Sequence, residues 1–301
     1  MTALVEVPQS FDDRSFEQLA TGLAAAGGAD KVLVDAHATE WASPFGLVSL
    51  LCAGQALRER LGGRPLLTVP SDRDVTAYWA KTGFFTQAEE LFEIHGSVPK
   101  VKQQPESTVL LEVTPVVVAG DVHKVVDRIQ DRAAAILTSE LGLEARATIG
   151  FGMALSEACQ NIVEHAGTGG WVAVHAYSWR RRLGRRVVVI AVADAGVGFR
   201  KSLEATQARR FGDRWGDGPA LEAALIQGVS RFREPGRGQG FRGIRKYLDH
   251  WEGKISIRSG TARIAMIKPW DEDVALREGL APFPGAQLQL VIPAAAPLEA
   301  R

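Results

Sequence analysis

The sequence predicts an α+β protein: a two-layer sandwich of helices on a sheet, preceded by a small α/β domain. Three observations predict it. Before residue 90, short β-branched runs alternate with helical patterns. From residue 109 onward, two long helical patterns come early and most strand-like runs follow as hairpins. Between the two parts, Ser97 to Ser107 carries two prolines, two glutamines, two lysines and no apolar period. Helices that precede antiparallel strands bury their apolar stripes on one face of the sheet. With 301 residues the chain can build two separate cores. The expected units are residues 1–98 and 108–301, joined by a linker at 99–107.

In the first unit, Phe16 to Ala26 reads as a helix and Lys31-Val-Leu-Val-Asp35 as a buried strand. Ser43-Pro44 opens the next helix, with serine as N-cap and proline in the first turn. Leu47, Leu50, Leu51, Leu57 and Leu61 keep helical spacing, and Gly62-Gly63 ends it. Pro65 to Val69 is a second strand, and Val75 to Lys81 a short helix stopped at Gly83. The second unit starts with a strand at Val109 to Val113, then helices at Val122 to Leu141 and Ala145 to Ala166. Strands at Trp171 to Ser178 and Arg186 to Ala193 precede a mixed region from Phe199 to Glu234. A helix from Gly240 to Trp251 and strands at Lys254 to Ser259, Ala262 to Lys268 and Gln287 to Ile292 complete it.

Composition excludes several classes. Lysine plus arginine and aspartate plus glutamate each total 35, so there is no basic excess for nucleic acid. Arg180-Arg181-Arg182 with Arg185-Arg186 reads as a solvated hairpin tip, with a docking patch for an acidic partner as the alternative. Cys52 and Cys159 lie far apart on expected buried helix faces and form no metal or disulfide pattern. No apolar run reaches the ~20 residues of a membrane span. Met1-Thr-Ala-Leu-Val-Glu6 lacks a signal pattern, so a cytoplasmic protein is expected.

Three short segments carry chemistry. In the helix Ala145 to Ala166, Phe151, Leu155, Ala158 and Ile162 form one apolar stripe. Glu157 and Asn161, four apart, face away from it together. A carboxamide oxygen can ligate Mg2+, and a carboxylate can orient or deprotonate a hydroxyl. Asp194-Ala-Gly196-Val-Gly198 follows the strand run, where an acid can accept a hydrogen bond from an exocyclic amine such as adenine N6. Its glycines let the backbone turn sharply beside a flat base. Gly236-Arg237-Gly238-Gln239-Gly240 precedes a helix and offers backbone N–H groups to phosphate, with Arg237 adding a charge-assisted contact. Its spacing is neither the dinucleotide fingerprint nor a P-loop. Each segment also has a plain reading: an exposed helical pair, a strand-to-loop turn, a flexible loop.

In this order the segments resemble the GHKL ATPase superfamily, over residues 108 to 293. Glu157 and Asn161 stand as its N-box, Asp194, Gly196 and Gly198 as its G1 box, and Gly236, Gly238 and Gly240 as its G2 box. Ala154-Leu-Ser-Glu-Ala-Cys-Gln-Asn-Ile-Val-Glu-His-Ala166 is most similar to the branch of anti-sigma serine kinases. The resemblance implies a Bergerat ATP-binding fold, with Asp194 on adenine, Asn161 on Mg2+, Glu157 as catalytic base and residues 199 to 240 as an ATP lid. It places His165 near phosphate, against the alternative of a histidine stabilising a helix C-terminus. It also implies a homodimer. Gly285-Ala286-Gln287 departs from the family, which often has threonine after the glycine.

The first unit resembles the STAS fold, the domain type that anti-sigma kinases phosphorylate. Trp41-Ala-Ser-Pro-Phe-Gly-Leu47 stands where STAS antagonists have Asp-Ser-Ser-Gly, so the usual phosphate acceptor is missing. A degenerate module that docks a partner or the neighbouring domain is expected. His123, followed by lysine, is expected on the surface and not as a phosphoacceptor. The expected function is an ATP- and Mg2+-binding regulator: a serine/threonine kinase acting on a STAS-domain or sigma-factor-type partner. The alternatives are an ATP-dependent conformational switch or a scaffold.

Overall fold

The computed structural model describes residues 1–100, 108–144, 147–179, 183–229 and 240–295. The chain begins with β1 (Thr2–Glu6), β2 (Ser10–Phe11), α1 (Phe16–Ala25), β3 (Lys31–Asp35) and β4 (Trp41–Ala42). It continues with α2 (Pro44–Leu61), β5 (Leu66–Thr68), α3 (Arg73–Lys81), α4 (Phe84–Ala88) and β6 (Glu93–His95). Strands β1, β3, β5 and β6 pair in that order as a parallel four-stranded sheet. Ser43 caps α2, its Oγ accepting the Gly46 N–H at 3.1 Å, and Gly62 ends the helix in the left-handed region. β1, β6 and α4 were not expected; β6 and α4 are too short to show a period.

The second part runs through β7 (Val109–Val116), α5 (Ala119–Ala135), α6 (Ala147–Asn161), β8 (Gly170–Trp179) and β9 (Arg185–Asp194). Then follow α7 (Gly198–Phe211), α8 (Asp217–Leu225), α9 (Gly240–His250), β10 (Lys254–Gly260), β11 (Ala262–Ala265), β12 (Leu276–Arg277) and β13 (Phe283–Pro293). Seven strands make one antiparallel sheet in the order β12-β11-β10-β13-β9-β8-β7. Both α5 and α6 end in a π turn, Ile136–Glu140 and Ile162–Ala166. His123 is exposed on α5, and Cys52 and Cys159 are buried. The expected linker falls largely on 101–107, outside the described residues, as do Arg180 to Arg182 between β8 and β9.

Alternation along the strands gives the large sheet two different faces. Val172, Val174, Val188, Ile190, Val192, Ile255, Ile257, Leu288, Leu290 and Ile292 point to the helical side and share one core with Phe151, Leu155, Ala158, Ile162 and Ile244. The other face is covered by the N-terminal part. Ala173, Ala191, Ala193 and Ala195 belong to the core that α2 brings from the N-terminal part. Small side chains there let α2 lie close to the sheet. Residues 44–54 of α2 are consequently buried all round, between its own sheet and the large one.

Further along the same face the contact turns ionic. Lys254, fully buried on β10, pairs with Asp271, with Asp273 at 2.8 Å and with Asp13 at 3.7 Å. Arg263 on β11 pairs with Asp273 and with Asp13 at 3.4 Å. Arg258 pairs with Glu17 at 3.0 Å and lies over the rings of Phe16 and Phe283. Asp13 and Glu17 belong to the N-terminal part, so these buried charges bind the layers together. Burial tends to raise the Asp273 carboxyl, yet hydrogen bonds and charge from Arg263 and Lys254 hold it well below the usual range.

Candidate functional site

The site forms where β9 ends against α6. Asp194 is the last residue of β9 and only 6% exposed. Its Oδ1 accepts the Gly196 N–H at 2.8 Å, and the Ala286 N–H of β13 also reaches the carboxylate. Burial raises its pKa to about 6 in spite of these two hydrogen bonds, which lower it. From the back of the sheet, buried Gln287 donates to the Asp194 carbonyl at 3.1 Å and to the Pro284 carbonyl at 2.9 Å. Gln287, in the segment Gly285-Ala286-Gln287 that departs from the resembled family, braces the backbone of the acidic residue.

Residues 195–198 turn from β9 into α7. The Val197 N–H donates to the Ala166 carbonyl at 3.0 Å, which fastens the turn to the end of the preceding helix. A side chain at Gly196 would overlap that same carbonyl group. Gly198 has φ +70°, and a Cβ there would crowd Ser259 Oγ and the Gly285 carbonyl. Ser259 Oγ accepts the Phe199 N–H at 3.1 Å and donates to Gly285 O at 2.7 Å, tying α7, β10 and β13 into one corner.

On α6, Asn161 donates its Nδ2 to the Glu157 carbonyl at 2.9 Å, one turn back. Its Oδ1 is therefore the atom left for a ligand. Glu157 and Asn161 are both half-buried. Burial, then the charge of Glu164 seven residues on, raises the Glu157 pKa. Gln160 donates to Glu164 Oε1 at 2.9 Å, so the carboxylates sit along one helical face.

Asn161, Ala166, Asp194, Gly198, Phe199 and Ala286 line one cavity of about 20 Å³. The structure thus brings together the amide of the first motif and the acid of the second, with the glycine turn between them. The cavity has room for about one water, so a purine enters only if it widens. His165 lies in the π turn, but its side chain is outside the described residues. Gly236, Arg237, Gly238 and Gln239 are also outside them, and Gly240 opens α9. Sequence reasoning missed Ala166, Phe199 and Ser259 as lining or bracing residues. Only Phe199, next to the glycine motif, had a local signal.

The donor set fits a nucleotide with a hard cation. Among the described residues, no group of three or more His, Cys, Asp or Glu side chains could hold a metal alone. A cation held by the Asn161 oxygen would take its remaining ligands from phosphate and water, the usual habit of Mg2+. No helix of the described residues is long and apolar enough to cross a membrane.

Comparison with known families agrees with this geometry. Residues 121–255 match the model of the histidine kinase-like ATPase domain. The match contains Glu157, Asn161, Asp194, Gly196 and Gly198, and ends before Gln287. It supports a GHKL-type ATPase domain in an α+β protein, and with it an ATP-binding regulatory function. Domains of this type bind ATP, usually with Mg2+. No curated protein matches the chain.

Proposed function

We propose that the chain is a serine/threonine kinase of the anti-sigma type, which transfers the γ-phosphate of ATP to a partner such as a STAS-domain or sigma-factor-type regulator. The observation that carries this reading is the shared cavity of Asp194 and Asn161. Once widened, it would take the base at its Asp194 end and the phosphates at its Asn161 end. In this reading Asp194 accepts the adenine amine, and Asn161 Oδ1 holds Mg2+. Bound Mg2+ would offset charge on the phosphate oxygens. Glu157 takes the proton of the attacking hydroxyl as the new O–P bond forms and the bond to the ADP oxygen breaks. A raised Glu157 pKa suits that role. His165 and residues 236–240, Arg237 among them, belong at the phosphates. Phosphoryl transfer depends mainly on such positioning and charge neutralisation.

The N-terminal part is, in this reading, a degenerate STAS-like module. Ser43, nearest the expected acceptor position, is buried as the α2 cap, so the accepting hydroxyl lies on another protein. A cytoplasmic homodimer fits the same reading. A second reading, a nucleotide-dependent switch, is favoured by the packing of α2 behind β9 and β13, which carry Asp194 and Ala286 of the site. Incubation with γ-labelled ATP and candidate STAS proteins decides between them. Label on a partner serine or threonine, lost with Glu157→Ala, is the expected kinase result. Tight ATP binding with neither transfer nor phosphate release would replace the kinase with the switch.

A further inference from the structure

Gln287 is fully buried on β13, directly opposite Ala193 of β9, on the face that α2 covers. A carboxamide in such a place costs desolvation unless its polar atoms find partners. Its Nε2 has two, the Asp194 carbonyl at 3.1 Å and the Pro284 carbonyl at 2.9 Å. Its Oε1 has none among the described residues. The amide is therefore held by its donors alone. Turned over, it would set an oxygen against two carbonyl oxygens, so its orientation follows from chemistry.

Both carbonyls belong to the rim of the nucleotide cavity. Regular pairing of β13 with β9 begins at Ala286, opposite Asp194. The two residues before it are Pro284, which has no N–H, and Gly285 at φ +69°. A Cβ on Gly285 would overlap the Asp194 carbonyl, so the two backbones lie in contact there. Ser259 Oγ holds the Gly285 carbonyl at 2.7 Å and Gln287 holds that of Pro284, which fixes the turn. The Gly196 and Ala286 N–H groups hold the Asp194 carboxylate, and the Gln287 amide holds its carbonyl. With α2 packed over this face, water cannot stand in for a lost donor.

We infer that Gln287 is a positioning residue for base selection: it fixes the Asp194 backbone so that the carboxylate meets the exocyclic amine. The inference rests on the reading of Asp194 as the adenine acceptor. Calorimetry of the full-length protein with ATP and with GTP, both in excess Mg2+, tests it. Gln287→Leu should weaken ATP at least about fivefold and leave GTP nearly unchanged. In an Asp194→Asn background the same change should leave ATP affinity where it was, because the two residues act through one contact. Gln287→Glu, of equal length but with at most one donor, should fall between, and it carries the test if the leucine variant does not fold. Equal weakening of ATP and GTP, unchanged ATP affinity, or a further loss beside Asp194→Asn would make Gln287 a structural strut and overturn the inference. Failure of both variants to fold would overturn it in the same way. A parent protein that binds neither nucleotide, or both alike, would instead remove the reading of Asp194, and the inference with it.

Discussion

The two faces of the seven-stranded sheet solve the same burial problem with different chemistry. The helical face uses large branched side chains: Val172, Ile190, Val192, Leu288 and Leu290 meet α5, α6 and α9. The opposite face uses alanine on β8 and β9, glutamine on β13, and lysine and arginine on β10 and β11. Each is buried all the same. On the first face burial is driven by apolar area alone. On the second, close approach of a helix serves the alanines and paired charges serve the rest. An alternating strand with polar residues on one side therefore does not prove that this side faces water. It shows only that the covering layer must bring matching groups.

The sharpest break of the comparison is expected in binding. Asn161→Ala, on the helical face, should weaken Mg2+-dependent ATP binding on the order of 100-fold or more, with melting temperature little changed. Unchanged affinity in calorimetry would remove Asn161 from the metal role.

The next largest effect concerns neighbouring residues on opposite faces. Ala191→Leu should destabilise by about 1–3 kcal/mol because α2 has nowhere to move. Ile190→Val, pointing the other way, should cost about 0.5–1.5 kcal/mol. Chemical denaturation of both variants should stay a single transition if the layers fold as one. A separate early transition for Ala191→Leu would mean that the N-terminal layer is only loosely attached.

Asp194 offers a test of opposite sign. Its carboxyl titrates near 6 when folded, against an ordinary value of 3.8, so the native state holds the proton more tightly than the unfolded chain. Ionised Asp194 therefore costs stability above pH about 6, and the cost is relieved as pH falls toward 4. Asp194→Asn should raise stability at pH 7.5 by about 1–3 kcal/mol and erase the preference for adenine over guanine nucleotides. In the parent protein ATP affinity should fall as pH drops below about 6. A flat profile between pH 5 and 7.5 would contradict ionised Asp194 as the base-recognising group.

The smallest effect belongs to the polar part of the seam. The Tyr78 hydroxyl lies 3.0 Å from His175 Nδ1, and burial pushes that histidine down to about 3, so it is neutral. Tyr78→Phe should cost about 1 kcal/mol, seen as a lower denaturation midpoint with unchanged slope.

Much of the helical face was legible from sequence. The stripe Phe151, Leu155, Ala158, Ile162 fixed which way α6 turns, and therefore where Glu157 and Asn161 stand. β9 ends at Asp194, next to its glycines. What could not be read was long-range. Nothing local in Ala173, Ala191 or Ala193 says that a helix from more than a hundred residues upstream lies on them. Lys254, Arg258 and Arg263 look like solvent-facing residues of alternating strands, because the acids that cover them from the N-terminal part, Asp13 and Glu17, are so distant in sequence. The π turn at 162–166, which presents the Ala166 carbonyl to Val197, also has no signature in residue type.

The burial of α2 on every side has an organisational consequence. A protein whose N-terminal part shares a core with its neighbour cannot lend either half to another architecture. Cutting between them would lay bare the alanines and take Glu17 away from buried Arg258. Duplication and recombination must move this chain whole, and anything sensed at one end is inherited with the other.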